Sequence, residues 1–159
     1  MTQAETLLQA ARNAGAIIAT AESCTGGMVA AAITDIAGSS AIFDRGFVTY
    51  TNAAKIDMLG VKQATLDAFG AVSEQVAQEM AAGAAQNSNA TIAVSITGIA
   101  GPGGSDHKPE GRVCFGLCYQ EKTTSLTVEF GALGRTQVRH AARDHAITLL
   151  LNAITSAPN

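Results

Sequence analysis

The hydrophobic positions along the chain recur at two spacings, one typical of helices and one typical of strands. Apolar residues three or four positions apart predict helices, and Thr2 with Glu5 has the spacing of a capping box before the first of them. Gly15 is placed to end that helix, and Ser73 is placed to cap a later one. The predicted helices are 2–15, 28–36, 53–59 between Asn52 and Gly60, one that starts after Ser73, and 133–155.

Shorter stretches have the composition or the alternation of strands. These predicted strands are 16–19, 42–50 with a bulge at Gly46, 91–97, 113–119 and 124–130. The short link 121–123 predicts that the last two pair as a hairpin. Because helices and strands alternate before this hairpin, the pattern predicts a single-domain α/β fold, a three-layer sandwich with a mixed sheet between helices. Residues 156–159 are expected to form a frayed tail.

Composition and charge exclude several classes of protein. The chain has 159 residues, 47% of them hydrophobic and 14% charged, and a net charge of −3. No run approaches the roughly 18 unbroken apolar residues of a membrane span, and the first residues lack the basic start of a signal peptide. A basic nucleic-acid footprint is also missing. We therefore expect a protein that binds neither membranes nor nucleic acid.

The cysteines indicate a compartment and argue against a metal site. Their number, three, is odd, which argues against a disulfide framework and favours a reducing compartment such as the cytoplasm. Cys114 and Cys118 share one face of a predicted strand, but no second pair and no nearby histidine completes a zinc site. We expect free thiols and no bound metal.

The stretch Thr20–Gly27 is the first candidate for chemistry. An apolar run precedes it and a small-residue helix follows, so it predicts a strand, a tight glycine-bearing turn and a helix start. Such a turn brings hydroxyls, the Cys24 thiol and the free N–H groups of a helix N-terminus to one point, which suits an anion or a developing oxyanion. Ser23 or Cys24 there is a candidate nucleophile, and a simple cap by Ser23 or Thr25 is the alternative interpretation.

Two further polar or glycine-bearing segments stand at predicted strand ends. They are Tyr50–Lys55 and Thr97–Gly104. Ligands of open α/β sheets bind beyond the strand ends, so three such segments in one small domain predict a shared site.

Taken together, the motifs resemble those of the CinA C-terminal domain family. The matching segments are Ala21–Gly27, Gly38–Ser40 with Phe43, Tyr50–Lys55 followed by Leu59–Val61, Gly70–Ser73, Thr97–Gly104 with Lys108, Pro109 and Gly111, and finally Arg135 and Arg139. The resemblance spans nearly the whole chain. The sequence departs from the family pattern where a proline commonly precedes Gly38, and in the segment before Arg135, where an acidic residue is common.

The resemblance implies a hydrolase. The stand-alone members of that family are nicotinamide-nucleotide amidases, which convert nicotinamide mononucleotide to nicotinate mononucleotide and ammonia, and other members are parts of proteins linked by name to competence and DNA damage. The implied partner is a small pyridine nucleotide, without a cofactor, and we expect a homo-oligomer. The alternative is a domain that binds a nucleotide or a partner protein without turnover. A phosphotransferase is disfavoured because no Walker-type sequence is present.

Metal-free amide hydrolysis requires a nucleophile, a proton acceptor and donors to the oxyanion. The turn and the resemblance both point to Ser23 as the nucleophile, and Cys24 competes because a thiolate at a helix N-terminus is activated. No histidine lies in a matched motif, since His107 lies in the glycine loop and the other two lie on the last helix. Lys55 or Tyr50 is left as base or proton relay, and a lysine serves if burial lowers its pKa.

The remaining predictions concern substrate binding. The expected contacts are Thr25, Gly26, Gly27, Thr97, Gly98, Gly101, Arg135 and Arg139. Backbone N–H groups of the glycine loop are expected to hold the ribose and phosphate. Arg135 or Arg139, with Arg143 continuing the same helical face, is expected to bind the phosphate, although the row also suits a solvated basic stripe. Glu22 either orients a neighbouring hydroxyl or forms a surface ion pair.

Overall fold

The structure is a computed structural model that describes residues 1–105 and 107–156. Its strands are β1 Ile18–Glu22, β2 Phe43–Val48, β3 Ile92–Gly98, β4 Arg112–Tyr119 and β5 Lys122–Glu129. Its helices are α1 Gln3–Ala14, α2 Met28–Thr34, α3 Asn52–Leu59, α4 Gln63–Phe69, α5 Glu74–Gln86 and α6 Arg135–Ser156, with a short 3₁₀ turn at Ser39–Ala41.

The five strands form one mixed sheet in the order β2-β1-β3-β4-β5. Strands β2, β1 and β3 are parallel, and β4 and β5 follow as antiparallel neighbours. Because β1, β2 and β3 run in the same direction, the polar segments after them meet at one edge of the sheet. The predicted mixed sheet is therefore confirmed, and it brings the three candidate segments together.

Helices cover both faces of the sheet, so the predicted three layers are also confirmed. Helices α1, α2 and α6 pack on one face, while α3, α4 and α5 pack on the other. Helix α6 contributes a buried row of Val138, Ala142, Ala146, Leu150 and Ile154 to the larger of two apolar clusters. The second cluster lies under α5. Together the two layers hold the parallel strands rigidly beneath the candidate site.

Local signals at the helix ends were mostly informative. The capping box of Thr2 and Glu5 is present, and the Ser73 hydroxyl accepts from the Val76 N–H as expected. The predicted cap of α3 was wrong by one residue, because the Thr51 hydroxyl accepts the Ala54 N–H at 3.1 Å. Helix α4 was not predicted; it has only seven residues and buries a single apolar side chain, so it leaves almost no periodic signal.

The predicted bulge at Gly46 was wrong in its position. The register of β1 with β2 shifts at Asp44, since Ile18 pairs with Phe43 and Ala19 with Arg45. Gly46 instead allows close approach, because a Cβ there would lie 2.7 Å from the Thr20 hydroxyl oxygen.

The hairpin pairs as predicted, but its turn begins one residue earlier than predicted. The residues on either side of the turn belong to β4 and β5. Gln120 and Glu121 form the link, and their φ angles are +55° and +63°. A two-residue hairpin turn of this type requires the left-handed conformation at both central residues. At the carboxyl end, Ser156 belongs to α6, and the rest of the predicted tail lies outside the described residues. None of the helices within the described ranges has both the length and the apolar composition to cross a membrane.

Candidate active site

The Ser23 turn joins β1 to α2. The Ser23 N–H donates to the Ile96 carbonyl of neighbouring β3 at 2.9 Å, which extends the sheet to the start of the turn. Gly26 and Gly27 then adopt positive φ of +55° and +103°, and α2 begins at Met28. Glycine tolerates this left-handed conformation, so the chain reverses direction within four residues. The predicted strand, turn and helix start are all present.

Lys55 lies against Ser23, although 32 positions separate them in the sequence. The Lys55 Nζ is 3.0 Å from the Ser23 Oγ, and it also donates to the carbonyls of Thr49 at 2.9 Å and Tyr50 at 3.1 Å. The cap by Thr51 starts α3 directly after β2, which places Lys55 in the first turn of the helix, facing the end of β1. Only 1% of Lys55 is exposed. The sheet and the helix therefore form a buried serine–lysine pair.

Burial shifts the pKa values of Lys55 and Cys24, the two groups beside Ser23, in opposite directions. It lowers the pKa of Lys55 to about 8, because a buried ammonium loses its hydration. It raises the pKa of the Cys24 thiol to about 11, because a buried thiolate is equally penalised. A neutral amine is therefore accessible near neutral pH and a Cys24 thiolate is not, which favours Ser23 over Cys24 as nucleophile.

The phenol of Tyr50 takes no part in this pair. The backbone carbonyl of Tyr50 lies near the Ser23 Oγ, at 3.4 Å, and it also accepts from Lys55. The phenol oxygen instead accepts a hydrogen bond from Arg135 at 2.7 Å, and the side chain is 56% exposed. Of the two predicted bases, Lys55 is the one in contact with Ser23.

Glu22 occupies the helix N-terminus that we expected to bind an anion. Its Oε1 accepts from the Thr25 hydroxyl at 2.6 Å and from the Val29 N–H at 2.9 Å, and its Oε2 accepts from the Ala30 N–H at 3.0 Å. Glu22 is fully buried. The surface ion pair was therefore wrong and the orienting role fits. These α2 donors are already satisfied, so an external anion does not bind them.

The turn itself keeps other donors. In residues 1–105 and 107–156, the backbone N–H groups of Cys24 and Thr25 donate to no carbonyl, carboxylate or hydroxyl oxygen. They follow Ser23 directly and are the candidate oxyanion donors.

A cavity of about 350 Å³ opens beside the serine–lysine pair. The residues that line it are Ser23 and Cys24, then Tyr50, Asn52 and Lys55, then Ala71 and Val72, the loop 98–105, and Arg135. This volume lies within the 300–1,000 Å³ range of pockets that enclose small ligands. The carboxyl ends of the three parallel strands therefore form one cavity, as the positions of their polar segments predict.

The two predicted phosphate-binding arginines have different environments. Arg135 is exposed at the cavity and donates to the Gly101 carbonyl and the Tyr50 phenol oxygen, both at 2.7 Å. Arg139 is half-buried away from the cavity and donates to the carbonyls of Cys24 at 3.0 Å and Thr25 at 3.4 Å. Arg143 pairs with its neighbour Asp144 at 2.8 Å and does not extend the row to the site. Only Arg135 is placed to reach a ligand.

Several expected substrate contacts have structural partners instead. The Thr25 hydroxyl is bonded to Glu22, and the buried Thr97 hydroxyl donates to the Ala71 carbonyl at 2.8 Å. Gly26 and Gly27 form the turn but do not line the cavity. For these four residues the structure gives no direct contact with the cavity, whereas Gly98 and Gly101 line it.

Two charged residues that support the loop 98–105 were not predicted. The Glu110 carboxylate accepts from the Gly103 N–H at 2.8 Å and the Gly134 N–H at 2.9 Å, so it ties the loop to the start of α6. The Lys108 ammonium donates to the carbonyls of Phe69 at 2.7 Å and Val72 at 2.5 Å. Lys108 lies in a matched motif but was not assigned a role, and for Glu110 the sequence signal was a carboxylate among glycines and prolines. Asn52, which also lines the cavity, lies in a motif we recognised but was not assigned a binding role.

The histidines do not line the cavity, and no metal-binding group is found among the described residues. His107 is an exposed loop residue, and His145 packs against Phe115 with ring centroids 4.8 Å apart, away from the cavity. In the part of the chain that the structure covers, no three His, Cys, Asp or Glu side chains form a group that could hold a metal ion.

Comparison with known proteins gives consistent matches. The "Nicotinamide-nucleotide amidohydrolase PncC" of Escherichia coli (strain K12) is 50% identical over 151 residues, which cover 94% of this chain and 92% of that protein. The protein of the same name from Enterobacter agglomerans is 65% identical over 98 residues, which cover 61% of this chain and 60% of that protein.

Solved structures agree with the sequence relatives. The crystal structure of competence/damage inducible protein CihA from Agrobacterium tumefaciens superposes with a TM-score of 0.91 at 48% identity, covering 96% of this chain and 93% of that one. A family model described as "CinA C-terminal domain" matches residues 1–154. The resemblance found in the motifs is thereby confirmed, and the chain belongs to the CinA C-terminal domain family.

Proposed function

We propose that this chain hydrolyses the amide of nicotinamide mononucleotide, with Ser23 as nucleophile and Lys55 as general base. The observation that carries the proposal is the 3.0 Å contact between the Lys55 Nζ and the Ser23 Oγ at the end of a cavity. The names of the relatives supply the substrate class. A domain that only binds a nucleotide has no need for a buried amine held against a serine, so the pair favours an enzyme.

The two carbonyls around Lys55 orient its amine. A neutral amine has two N–H donors and one lone pair, and the Thr49 and Tyr50 carbonyls accept two hydrogens from the Nζ. The remaining direction points to the Ser23 Oγ, so in the neutral state the lone pair faces the serine hydroxyl. With a pKa of about 8, roughly one amine in ten is neutral at pH 7. Lys55 is therefore suited to accept the serine proton.

The first half-reaction makes an ester. As the Ser23 Oγ bonds to the amide carbon, its proton passes to the Lys55 Nζ, and the carbonyl oxygen becomes an oxyanion beside the free N–H groups of Cys24 and Thr25. The Lys55 ammonium then returns the proton to the amide nitrogen, the carbon–nitrogen bond breaks, and ammonia leaves. The acyl group stays on Ser23.

The second half-reaction restores the enzyme. Water attacks the ester carbon and gives a proton to Lys55, and the same donors stabilise the second oxyanion. The bond to the Ser23 Oγ breaks, and the serine takes its proton back from Lys55. The products are one carboxylic acid and one ammonia for each amide and water consumed.

Arg135 is the proposed anchor for the substrate phosphate. A guanidinium has five N–H donors, and Arg135 uses two of them for Gly101 and Tyr50. The other donors are available for a bidentate contact with phosphate. Within the described residues, the Gly101 and Gly104 N–H groups of the loop 98–105 donate to no acceptor, and we expect them to assist. This arrangement puts the phosphate at the exposed side of the cavity and the reacting amide at the buried serine.

Further parts of the proposal concern the state and setting of the enzyme. We propose a single-domain, cytoplasmic homo-oligomer that uses neither a metal nor a cofactor and binds no nucleic acid. The three free cysteines support a reducing compartment, and the net charge of −3 is unsuited to a nucleic-acid surface. Size-exclusion chromatography with light scattering tests the oligomer.

The direct test is release of ammonia from nicotinamide mononucleotide by the purified chain. We expect the wild type to release ammonia at the same rate with and without a chelator. The Ser23→Ala variant, measured in parallel as the control, should release none. Loss of activity in chelator with recovery on adding zinc or magnesium contradicts the metal-free mechanism. Tight nucleotide binding without ammonia release by the wild type contradicts the amidase and supports the binding-domain alternative.

A further inference from the structure

Glu22 is a buried carboxylate that no step of the proposed reaction uses. It is the last residue of β1, it stands directly before Ser23, and it is fully buried. Within the described residues no lysine, arginine or histidine forms an ion pair with it. Burying a carboxylate is costly unless hydrogen bonds compensate. Its three donors, the Thr25 hydroxyl and the N–H groups of Val29 and Ala30, supply that compensation.

These three contacts hold the two ends of the Ser23 turn to each other. The carboxylate belongs to the strand before the turn, while its donors belong to the turn itself and to the first turn of α2. A negative charge at a helix N-terminus is stabilised by the helix dipole as well as by the N–H groups. Glu22 thus joins the end of β1 to the first turn of α2 across the Ser23 turn.

Arg139 holds the opposite side of the same turn. It donates to the carbonyls of Cys24 and Thr25 from α6. In a trans peptide the carbonyl of one residue and the N–H of the next point in opposite directions. Holding the Cys24 carbonyl therefore sets the direction of the Thr25 N–H, which is one of the two candidate oxyanion donors.

We propose that Glu22 is a positioning residue for the oxyanion donors beside Ser23, acting with Thr25 and Arg139 as two clamps on one turn. This inference rests on the proposed serine mechanism. The turn meets the substrate most strongly once the oxyanion has formed, so a loosened turn reduces kcat and leaves KM nearly unchanged. Displacement of catalytic groups by about 1 Å costs about a hundredfold in rate.

The most informative variant is Glu22→Gln, which keeps the size and removes the charge. A glutamine presents one NH₂ where the carboxylate presented an oxygen, so a donor then faces a donor and the turn must shift. We expect kcat to fall by about ten- to a hundredfold with KM within about twofold of the wild type. Thr25→Val removes the hydroxyl partner and is expected to act in the same direction, whereas Thr25→Ser keeps the hydroxyl and is expected to lose much less.

The chain offers a matched control in Glu79→Gln. The Glu79 carboxylate accepts from the Lys62 N–H at 2.8 Å and the Thr65 hydroxyl at 2.6 Å, so it makes the same kind of contacts at the start of α4. It does not line the cavity. Glu79→Gln is expected to lower the thermal unfolding temperature about as much as Glu22→Gln while kcat stays at the wild-type value.

A second readout does not depend on the identity of the substrate. A fluorophosphonate labels an activated serine: the Ser23 Oγ bonds to phosphorus, the phosphorus–fluorine bond breaks, fluoride leaves and Lys55 accepts the proton. The phosphoryl oxygen requires the same donors as the oxyanion, so Glu22→Gln should slow labelling at least tenfold. Mass spectrometry of the labelled peptide confirms the site.

The outcomes separate this inference from the proposed function. Wild-type kcat and labelling rates in folded Glu22→Gln overturn the positioning role, even if the wild type is an amidase. A loss shared equally by Glu79→Gln, or a rise in KM as large as the fall in kcat, also overturns it. If the wild type labels at Ser23 but releases no ammonia, the substrate is wrong and labelling still decides the role of Glu22. If Glu22→Gln does not fold, the difference between Thr25→Val and Thr25→Ser decides it.

Discussion

At the scale of single residues, environment decides which polar group beside the cavity reacts. Ser23, Cys24 and Lys55 are exposed by only 9%, 5% and 1%. A thiol needs its anion to attack, so the burial that raises its pKa to about 11 deactivates Cys24. A lysine needs its neutral form to act as a base, so the burial that lowers its pKa to about 8 activates Lys55.

The first prediction separates the two neighbouring nucleophiles. Ser23→Ala removes the hydroxyl in contact with Lys55 and should lower kcat by several orders of magnitude. Cys24→Ala removes a thiol that is protonated at neutral pH and should retain most of the activity. Steady-state ammonia release from both variants checks this. An active Ser23→Ala enzyme together with an inactive Cys24→Ala enzyme reverses the assignment.

The second prediction concerns the base. If Lys55 acts as the neutral amine, as we propose, kcat should rise with pH through about 8 and then level. Lys55→Met should lower kcat by about a hundred- to ten-thousandfold with little change in KM, and it should abolish this rise. Lys62→Met, at an exposed position before α4, is the matched control and should keep the wild-type profile. If the rise near pH 8 persists in Lys55→Met, another group is the base, and Tyr50 is then tested.

At the scale of elements, α6 places Arg135 at the cavity and Arg139 against the Ser23 turn. Four residues separate Arg135 from Arg139, which is about one helical turn and puts them on one face. The start of α6 reaches the cavity, whereas the next turn packs against the carbonyls of the Ser23 turn. The same face of one helix therefore lines the cavity at its end and contacts the Ser23 turn further along.

The third prediction follows from this division. Charge-assisted contacts are worth roughly 1.5–3 kcal/mol, so Arg135→Ala should raise KM for nicotinamide mononucleotide about ten- to a hundredfold. For nicotinamide riboside, which lacks the phosphate, the change should be small. Arg139→Ala should mainly lower kcat and the unfolding temperature, because it frees the turn.

Arg143→Ala is the matched control for both substitutions, because the described partner of Arg143 is its neighbour Asp144. It should resemble the wild type in KM and kcat. Equal KM increases for the phosphorylated and the unphosphorylated substrate in Arg135→Ala count against a phosphate role.

At the scale of the whole molecule, the sheet carries the site at one edge, and a histidine, His145, packs against the aromatic side chains of the core. His145, a residue of α6, packs against Phe115 and Phe130, whose ring centroids lie 4.8 and 6.0 Å from that of the imidazole. Its Nε2 is buried, and within the described residues it has no hydrogen-bond partner. Burial lowers the pKa of this imidazole below its usual 6.5, so the folded protein holds it neutral.

The fourth prediction is a dependence of stability on pH. Below about pH 6.5 the unfolded chain binds a proton at His145 and the folded chain does not, so the free energy of unfolding falls as the pH falls. The contribution of His145 to the free energy of unfolding is fully present above about pH 6.5 and is lost as the pH falls toward the lower pKa of the folded state. Over that range the free energy of unfolding changes by at most about 1.4 kcal/mol per pH unit. Urea unfolding at pH values about one unit apart, from about pH 5 to about pH 8, measures this dependence.

His145→Leu should remove this component and leave the curve flatter, since leucine has no proton to bind. A curve that is unchanged in His145→Leu shows that another group governs the acid limb.

Short-range signals in the sequence determined most of the fold and part of the site. The caps at Thr2 and Ser73, the Ser23 turn and the hairpin all depend on contacts within a few residues, so local spacing was sufficient to predict them. The alternation of helices and strands, which requires a crossover between parallel neighbours, was sufficient to predict a layered sheet. Helix α4 was not predicted because it buries too little apolar surface to produce a periodic hydrophobic pattern in the sequence.

Contacts between distant segments were decided only by the tertiary structure. The sequence nominated Ser23 and Lys55 separately, but their contact depends on β1 and β2 being parallel neighbours. Spacing put Arg135 and Arg139 on one helical face, yet it carries no information on which of them meets the carbonyls of the Ser23 turn. Glu22 was ambiguous for the same reason. A charged side chain is buried when distant donors converge on it, and that convergence is a property of the folded chain.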